Sequence, residues 1–345
     1  MIRPTSRRIL LVVLSAVVLA AVPFATSARQ ATGCTAGEGL VFWPSPVVSS
    51  LNESLTDQKD ADYAALNNER RSVTLTGLDG SGYLRGTWAI VLNEVGDPAY
   101  ETDCTYDYTR HDDRFEQVMA YYWVTRSQDY LHQLGFTGAA GWPLINGDRQ
   151  QVRINQWGVD NSFATDHPKD EMRFGKGGVD DAEDAEVILH ELGHQIHFSQ
   201  SADFFASNEA GSISEGFGDY WAATVVEWET GGTNDPACIM DWDATSYTAG
   251  PIHCLRRLDS SLMYPAGQNG EVHHDGKIWS HALWNLRTAI GPTHADVAIL
   301  QAQFGWVGTT MPDLAQLIVN QAQSRYGQGA AACAAFEERG ILDCP

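Results

Sequence analysis

Residues 190–197 read HELGHQIH, and His190, Glu191, His194 and His197 are the side chains in it with chemistry to offer. On a helix, residues four apart share a face with Cβ atoms ~5–6 Å apart, so His190 and His194 can turn both imidazoles toward one ion. Glu191 lies about 100° further round the helix, off the ion but within reach of a water held on it. A metal-assisted hydrolase needs that set: zinc brings the water's pKa down to about 7, and a carboxylate takes the proton. A catalytic zinc takes three protein ligands and keeps one position open. His197 fails as the third, because it stands two turns from His190, ~10 Å along the axis. It is expected in the core or as the partner of a ligand histidine.

The third ligand must come from another element. Residues 212–222 read SISEGFGDYWA, with Glu215 and Asp219 four apart on a predicted helix. One carboxylate can ligate the metal while the other accepts the free N–H of a ligand histidine. A solvated acidic face is the competing reading. The bulky neighbours Ile213, Phe217, Tyr220 and Trp221 weigh against it, since carboxylates among such side chains need a partner.

The elements that must position these residues follow from periodicity. Residues 40–110 read as strands and turns: SVTLTGL (72–78) alternates, DGSG (79–82) is a turn, and YLRGTWAIVL (83–92) resumes. From Phe115 through Val118, Met119, Tyr122 and Leu131 the spacing is helical, and Gly135 stops it. QVRINQW (151–157) reads as a short strand. A helix is expected over 182–199, after an acidic lead that suits the positive end of its dipole. Others are expected over 213–229, 277–290, 313–326 and 330–339, with Gly340 as a C-cap. The architecture predicted is α+β, a strand-rich N-terminal lobe over 29–180 and a mainly helical C-terminal lobe over 181–345.

Composition is that of a folded chain, with 43% hydrophobic residues and 11 Trp, so a real core is within reach of its 345 residues. Residues 1–28 carry Arg3, Arg7 and Arg8, an apolar run and small residues ending at Ala28, the pattern of a secretory signal peptide. The run is short for a membrane anchor, which needs ~20 apolar residues. The net charge of −22 excludes nucleic-acid binding through phosphates and stable association with anionic membranes. That charge serves solubility in an extracellular medium, with Ca²⁺ binding by some carboxylates as the functional alternative. Six Cys in an exported chain predict three disulfides. Cys238–Cys254 and Cys333–Cys344 are the natural close pairs, leaving Cys34–Cys104.

Taken together, DDAEDAEVILHELGHQIH, SISEGFGDYWA and EVHHDGKIWSHALWNLR resemble the fungalysin family of zinc metalloproteases, within the thermolysin-like gluzincins. VFWPSPVV (41–48), AYYWVTRSQDYLHQLGF (120–136) and the C-terminal AAFEERGI are looser likenesses. The resemblance implies a two-lobe zincin fold with the active-site helix between the lobes. It implies His190, His194 and Glu215 as zinc ligands, Glu191 as general base and Asp219 as the carboxylate orienting a ligand histidine. His273 matches the histidine that hydrogen-bonds the transition-state oxyanion, with His274 next in line. Asn161 resembles the asparagine that binds substrate backbone beside an edge strand, expected near 151–157. Arg256 resembles the arginine that holds a substrate carbonyl, with Arg257 next and a surface salt bridge as the competing reading.

Three departures stand out. The tyrosine that such enzymes place nine residues before the glutamate ligand falls at Ala206, beside Phe205. The family's long inhibitory propeptide has no counterpart in the dozen residues between Ala28 and Leu40. The thermolysin calcium sites do not map; Asp180, Asp181, Glu183 and Asp184 are candidates that helix capping explains as well. The expected function is a secreted, extracellular, monomeric zinc endopeptidase acting on peptide or protein. The alternatives are a zinc-stabilised binding protein of the same fold and a gluzincin exopeptidase.

Overall fold

A computed structural model describes residues 33–92, 95–166, 170–248, 250 and 252–345. The expected secretory segment lies outside the described residues. The described chain forms β1 (Ala36–Val41), α1 (Pro46–Ser50), α2 (Ala64–Asn67), β2 (Arg71–Thr76), β3 (Ala89–Val91), β4 (Thr105–Tyr106) and α3 (Arg114–Gln133). Next come β5 (Gln150–Arg153), β6 (Ser162–Thr165), β7 (Glu171–Phe174), α4 (Ala185–Gln200) and α5 (Asn208–Thr230). The short strands β8 (Cys238–Ile239) and β9 (Arg256–Arg257) precede α6 (Val272–Ile290), α7 (Pro292–Gln303), α8 (Met311–Tyr326) and α9 (Gly329–Glu337). The fold is therefore mixed α and β. Most strands come before residue 175 and the long helices α4 to α9 after it. Among the described residues no helix is long and apolar enough to cross a membrane.

β1 pairs antiparallel with β2 and parallel with β4. The second sheet has the order β3-β5-β7-β6, parallel except for β6, which runs antiparallel to β7. This corrects the edge expected near 151–157. β5 lies inside the sheet between β3 and β7, and β6 is the edge that packs against α4. A short strand has the same local pattern inside a sheet or at its rim; long-range pairing decides which.

α3 begins where its periodicity does, but it is buried nearly all round. Phe115, Val118, Met119 and Trp123 share the interior with Glu116, Gln117, Thr125 and Ser127. It packs against β1, β3, α4 and α5, which leaves only a narrow strip at Arg126, Asp129 and Gln133 for solvent. α4 is capped by Asp184, whose Oδ1 accepts from the Glu186 N–H at 2.9 Å. α5 starts five residues ahead of the expected 213, because Ser207 Oγ caps it by accepting from the Ala210 N–H at 3.1 Å. α6 likewise starts at Val272 rather than 277. Glu271, an uncommon cap, accepts from the N–H groups of His273 and His274 at 3.1 and 2.7 Å. α7 escaped the sequence reading: Gly291-Pro292 looks like a break, yet proline at the first helical position costs no hydrogen bond.

Glycines let α4, α5 and α6 approach backbone to backbone. A Cβ on Gly193 would stand 2.9 Å from Gly218 Cα, and one on Gly216 would stand 2.3 Å from the Gly276 carbonyl. Disulfides join Cys34–Cys104, Cys238–Cys254 and Cys333–Cys344, the pairing the spacing suggested.

Candidate metal centre

α4 carries His190, Glu191 and His194 into the interior, and α5 crosses it with Glu215 and Asp219. Donor atoms of His190, His194 and Glu215 all lie within 4.8 Å of one another. His190 Nε2 is 3.2 Å from Glu215 Oε2, and His194 Nε2 is 3.6 Å from Glu215 Oε1. The two imidazoles meet edge to face, with centroids 4.9 Å apart. Each is held from behind. His190 Nδ1 lies 2.9 Å from Asp219 Oδ1, and His194 Nδ1 lies 2.8 Å from Ser214 Oγ. Both Nε2 atoms therefore face Glu215 while both Nδ1 atoms are engaged, which fixes the ring orientations a metal ligand needs. The close packing is specific. A Cβ on Gly218 would come within 2.7 Å of His190 Nδ1. Two imidazoles and one carboxylate at this spacing are the donor set of a catalytic zinc, so the residues present fit that ion.

The charges support one another. Burial alone would push the His190 imidazole down, but hydrogen bonds to Asp219 and Glu215 outweigh it and lift the group to about 9. Burial pushes His194 down to about 4. Against their own desolvation, Glu215 is held well below the usual carboxylate range by His194 and His190, and Asp219 is held low by Arg256 and His190. Glu191 goes the other way. Burial raises it to about 7, with Glu215 adding to the rise and His190 opposing it. The Ala164 backbone in β6 hydrogen-bonds to Glu191, while Glu191 Oε2 is buried without a partner. A carboxyl group poised near neutrality, with one free oxygen, is suited to proton transfer.

Arg256, on β9, forms a double hydrogen bond with Asp219: Nε donates to Oδ2 at 2.8 Å and Nη2 to Oδ1 at 2.7 Å. It thus reaches the centre through the carboxylate that holds His190. Arg257 turns away to Asp235 and Asp259. His273, in the first turn of α6, is half exposed and sets Nε2 3.3 Å from Glu215 Oε2, with Nδ1 2.7 Å from Glu271. His274 instead faces the Gly267 carbonyl at 3.2 Å. Asn161 is exposed at the start of β6, and its carbonyl accepts from Trp157 Nε1 at 3.1 Å. Ala206 ends a short turn and brings no donor. The neighbouring Phe205 ring lies 5.8 Å from the His194 ring.

His197 is in the core, stacked between Phe204 at 3.6 Å and Phe217 at 4.2 Å. It shares Ser214 with His194, its Nδ1 lying 3.0 Å from Ser214 Oγ. Ser214 was missed in the sequence. Its signal was a small polar residue beside Glu215 in an apolar helix. Gln195, also passed over, ties α4 to the sheet by donating to the carbonyls of Thr165 and Glu171 at 3.1 and 2.9 Å. Of the four acids before α4, Asp184 is the helix cap and Glu183 pairs with Arg110 at 2.8 Å. Neither is placed as a calcium ligand.

The fold resembles that of a solved metalloproteinase precursor. The precursor of protealysin, a metalloproteinase from Serratia proteamaculans, superposes with a TM-score of 0.53 at 18% identity, over 68% of this chain and 80% of that one. In sequence, the chain is similar to fungal extracellular metalloproteinases, the resemblance the motifs carried. It is 24% identical over 206 residues to extracellular metalloproteinase 3 of Trichophyton tonsurans, covering 52% of this chain and 32% of that protein. It is 28% identical over 207 residues to extracellular metalloproteinase MEP of Fusarium vanettenii, covering 51% and 32%. The matched stretch spans about a third of these relatives' length. No protein-family model matches the chain.

Proposed function

We propose that the chain is a secreted zinc-dependent endopeptidase, acting as a monomer on peptide or protein substrates. In this reading residues 29–180 form a strand-rich lobe and 181–345 a helical lobe, with α4 between them. The observation that carries it is the convergence of His190, His194 and Glu215 beside the free oxygen of Glu191. His190, His194 and Glu215 would hold a zinc ion, which would supply the Lewis acidity that activates a water and polarises a carbonyl. The substrate lies extended along β6, the sheet edge beside Glu191, with Asn161 at its start holding substrate backbone. Glu191 takes the water's proton as the oxygen attacks the scissile carbonyl. His273 donates to the oxyanion that develops there. Arg256 binds a substrate carbonyl while it keeps Asp219 ionised and His190 in place. Glu191 then passes the proton to the leaving amine. Calcium enters only as a structural ion.

The lack of a phenol at Ala206 and Phe205 favours a second reading, a zinc-stabilised binding protein with little turnover. A peptide-library or casein assay on the mature chain separates the two. The expected result is internal cleavage that a zinc chelator stops and that Glu191→Gln removes while one zinc per chain stays bound. Undiminished hydrolysis by that variant would overturn the role of Glu191 as the base. Metal binding with no cleavage would favour the binding protein, and removal of terminal residues alone would make it an exopeptidase.

A further inference from the structure

We propose a divalent-cation site, matched to Ca²⁺, formed by Asp113, Glu116 and Asp180 where the start of α3 meets the segment leading into α4. One carboxyl oxygen from each lies within 4.8 Å of the other two. Asp113 and Glu116 stand three apart at the first turn of α3, which puts them on one face. Asp180 comes from the extended residue ahead of the turn before α4, and its side chain makes no capping bond.

Acidic clusters are commonly solvated or paired, and Glu116 is neither. It is fully buried, and both of its carboxyl oxygens lack a hydrogen-bond partner. The strongest charges acting on it, those of Glu183, Asp180, Asp113 and Asp60, are negative. Arg110, close by, is committed elsewhere. Its Nε and Nη2 donate to Glu183 at 2.9 and 2.8 Å, and its Nη1 and Nη2 donate to the Asp57 carbonyl and side chain at 2.8 and 2.6 Å. A buried carboxyl group without a donor is costly. One cation would satisfy all three carboxylates together.

The donor chemistry selects the ion. Ca²⁺ accepts a cage built mostly of protein oxygens in flexible geometry, whereas Mg²⁺ demands a near-ideal octahedron and keeps several waters, which a buried Glu116 leaves little room for. Oxygen-only ligands without His or Cys disfavour zinc. The site shares no residue with the His190–His194–Glu215 group and does not rest on the proteolytic reading. It would pin the start of α3 to the lead of the metal-binding helix and so stabilise the centre from outside.

Calcium titration calorimetry on the mature, zinc-loaded chain tests this, with thermal unfolding in the same samples. Glu116→Gln and Asp180→Asn are compared with an exposed control, Glu38→Gln. The expected result is that each of the first two loses one Ca²⁺ per chain at unchanged zinc content. The Ca²⁺-induced rise in Tm, a few degrees in the parent chain, should disappear in both. Without calcium, Glu116→Gln should unfold no earlier than the parent, because it removes a buried repulsion and keeps the shape. Two results would overturn the site: no calcium binding by the parent at millimolar Ca²⁺, or unchanged stoichiometry and affinity in both variants. The first would mean that Glu116 is carried as the neutral acid. Should Glu116→Gln misfold, Asp180→Asn decides the matter alone.

Discussion

At the scale of single residues, the proposed centre sets its two glutamates in opposite environments. Glu215 faces both histidine Nε2 atoms and is held ionised by them, whereas Glu191, one residue past His190, points to β6 and is pushed up by burial. The two glutamates should therefore fail differently. Glu191→Gln is expected to keep metal and lose hydrolysis. Glu215→Gln removes a ligand charge and is expected to lose zinc during dialysis. Asp219→Asn, which acts through His190, should weaken zinc by only ~10–100-fold. Metal content and competition with a chromophoric chelator distinguish the three. Equal zinc affinity in Glu215→Gln and the parent would remove Glu215 from the ligand set.

Between elements, the packing behind the ligands matters as much as the ligands. His197 of α4 is locked between Phe204 and Phe217, and Gln303 of α7 lies 3.0 Å from its Nε2. Burial, with a smaller contribution from His194, holds the His197 imidazole well below its ordinary value. The sign follows from proton uptake. Below pH ~6.5 the unfolded chain binds a proton at this site that the folded chain refuses, so stability is lost as pH falls. The loss is expected to grow between pH 7 and pH 5. Urea unfolding at the two pH values should show His197→Gln with a correspondingly smaller loss. An identical pH dependence in parent and variant would place the acid sensitivity elsewhere.

Across the whole molecule, the disulfides differ in the length of chain they close. Cys34–Cys104 spans 70 residues and joins the start of β1 to the turn before β4; Cys333–Cys344 spans 11 at the C-terminal end. Restricting the unfolded chain is worth about 4 kcal/mol for the longer loop and about 3 kcal/mol for the shorter. The Cys34→Ser/Cys104→Ser pair should accordingly lower the unfolding midpoint more than Cys333→Ser/Cys344→Ser. A reversed order would mean that native contacts around Cys333 outweigh chain entropy.

The sequence by itself determined whatever depends on periodicity within one element or on spacing along the chain. The four-residue steps His190–His194 and Glu215–Asp219, the separation of His197 from that cluster and the run of α3 were legible there, because 3.6 residues per turn fixes which side chains share a face; the Cys pairing was legible from closeness along the chain. Tertiary structure decided what depends on meetings between distant segments. It made β6 rather than β5 the edge, chose Arg256 over Arg257 for Asp219, set Ser214 behind His194, and brought Asp113 and Glu116 to Asp180. No local pattern encodes these, since strand order and the burial of a carboxylate follow from how the sheets and helices pack, and that packing is a property of the whole chain.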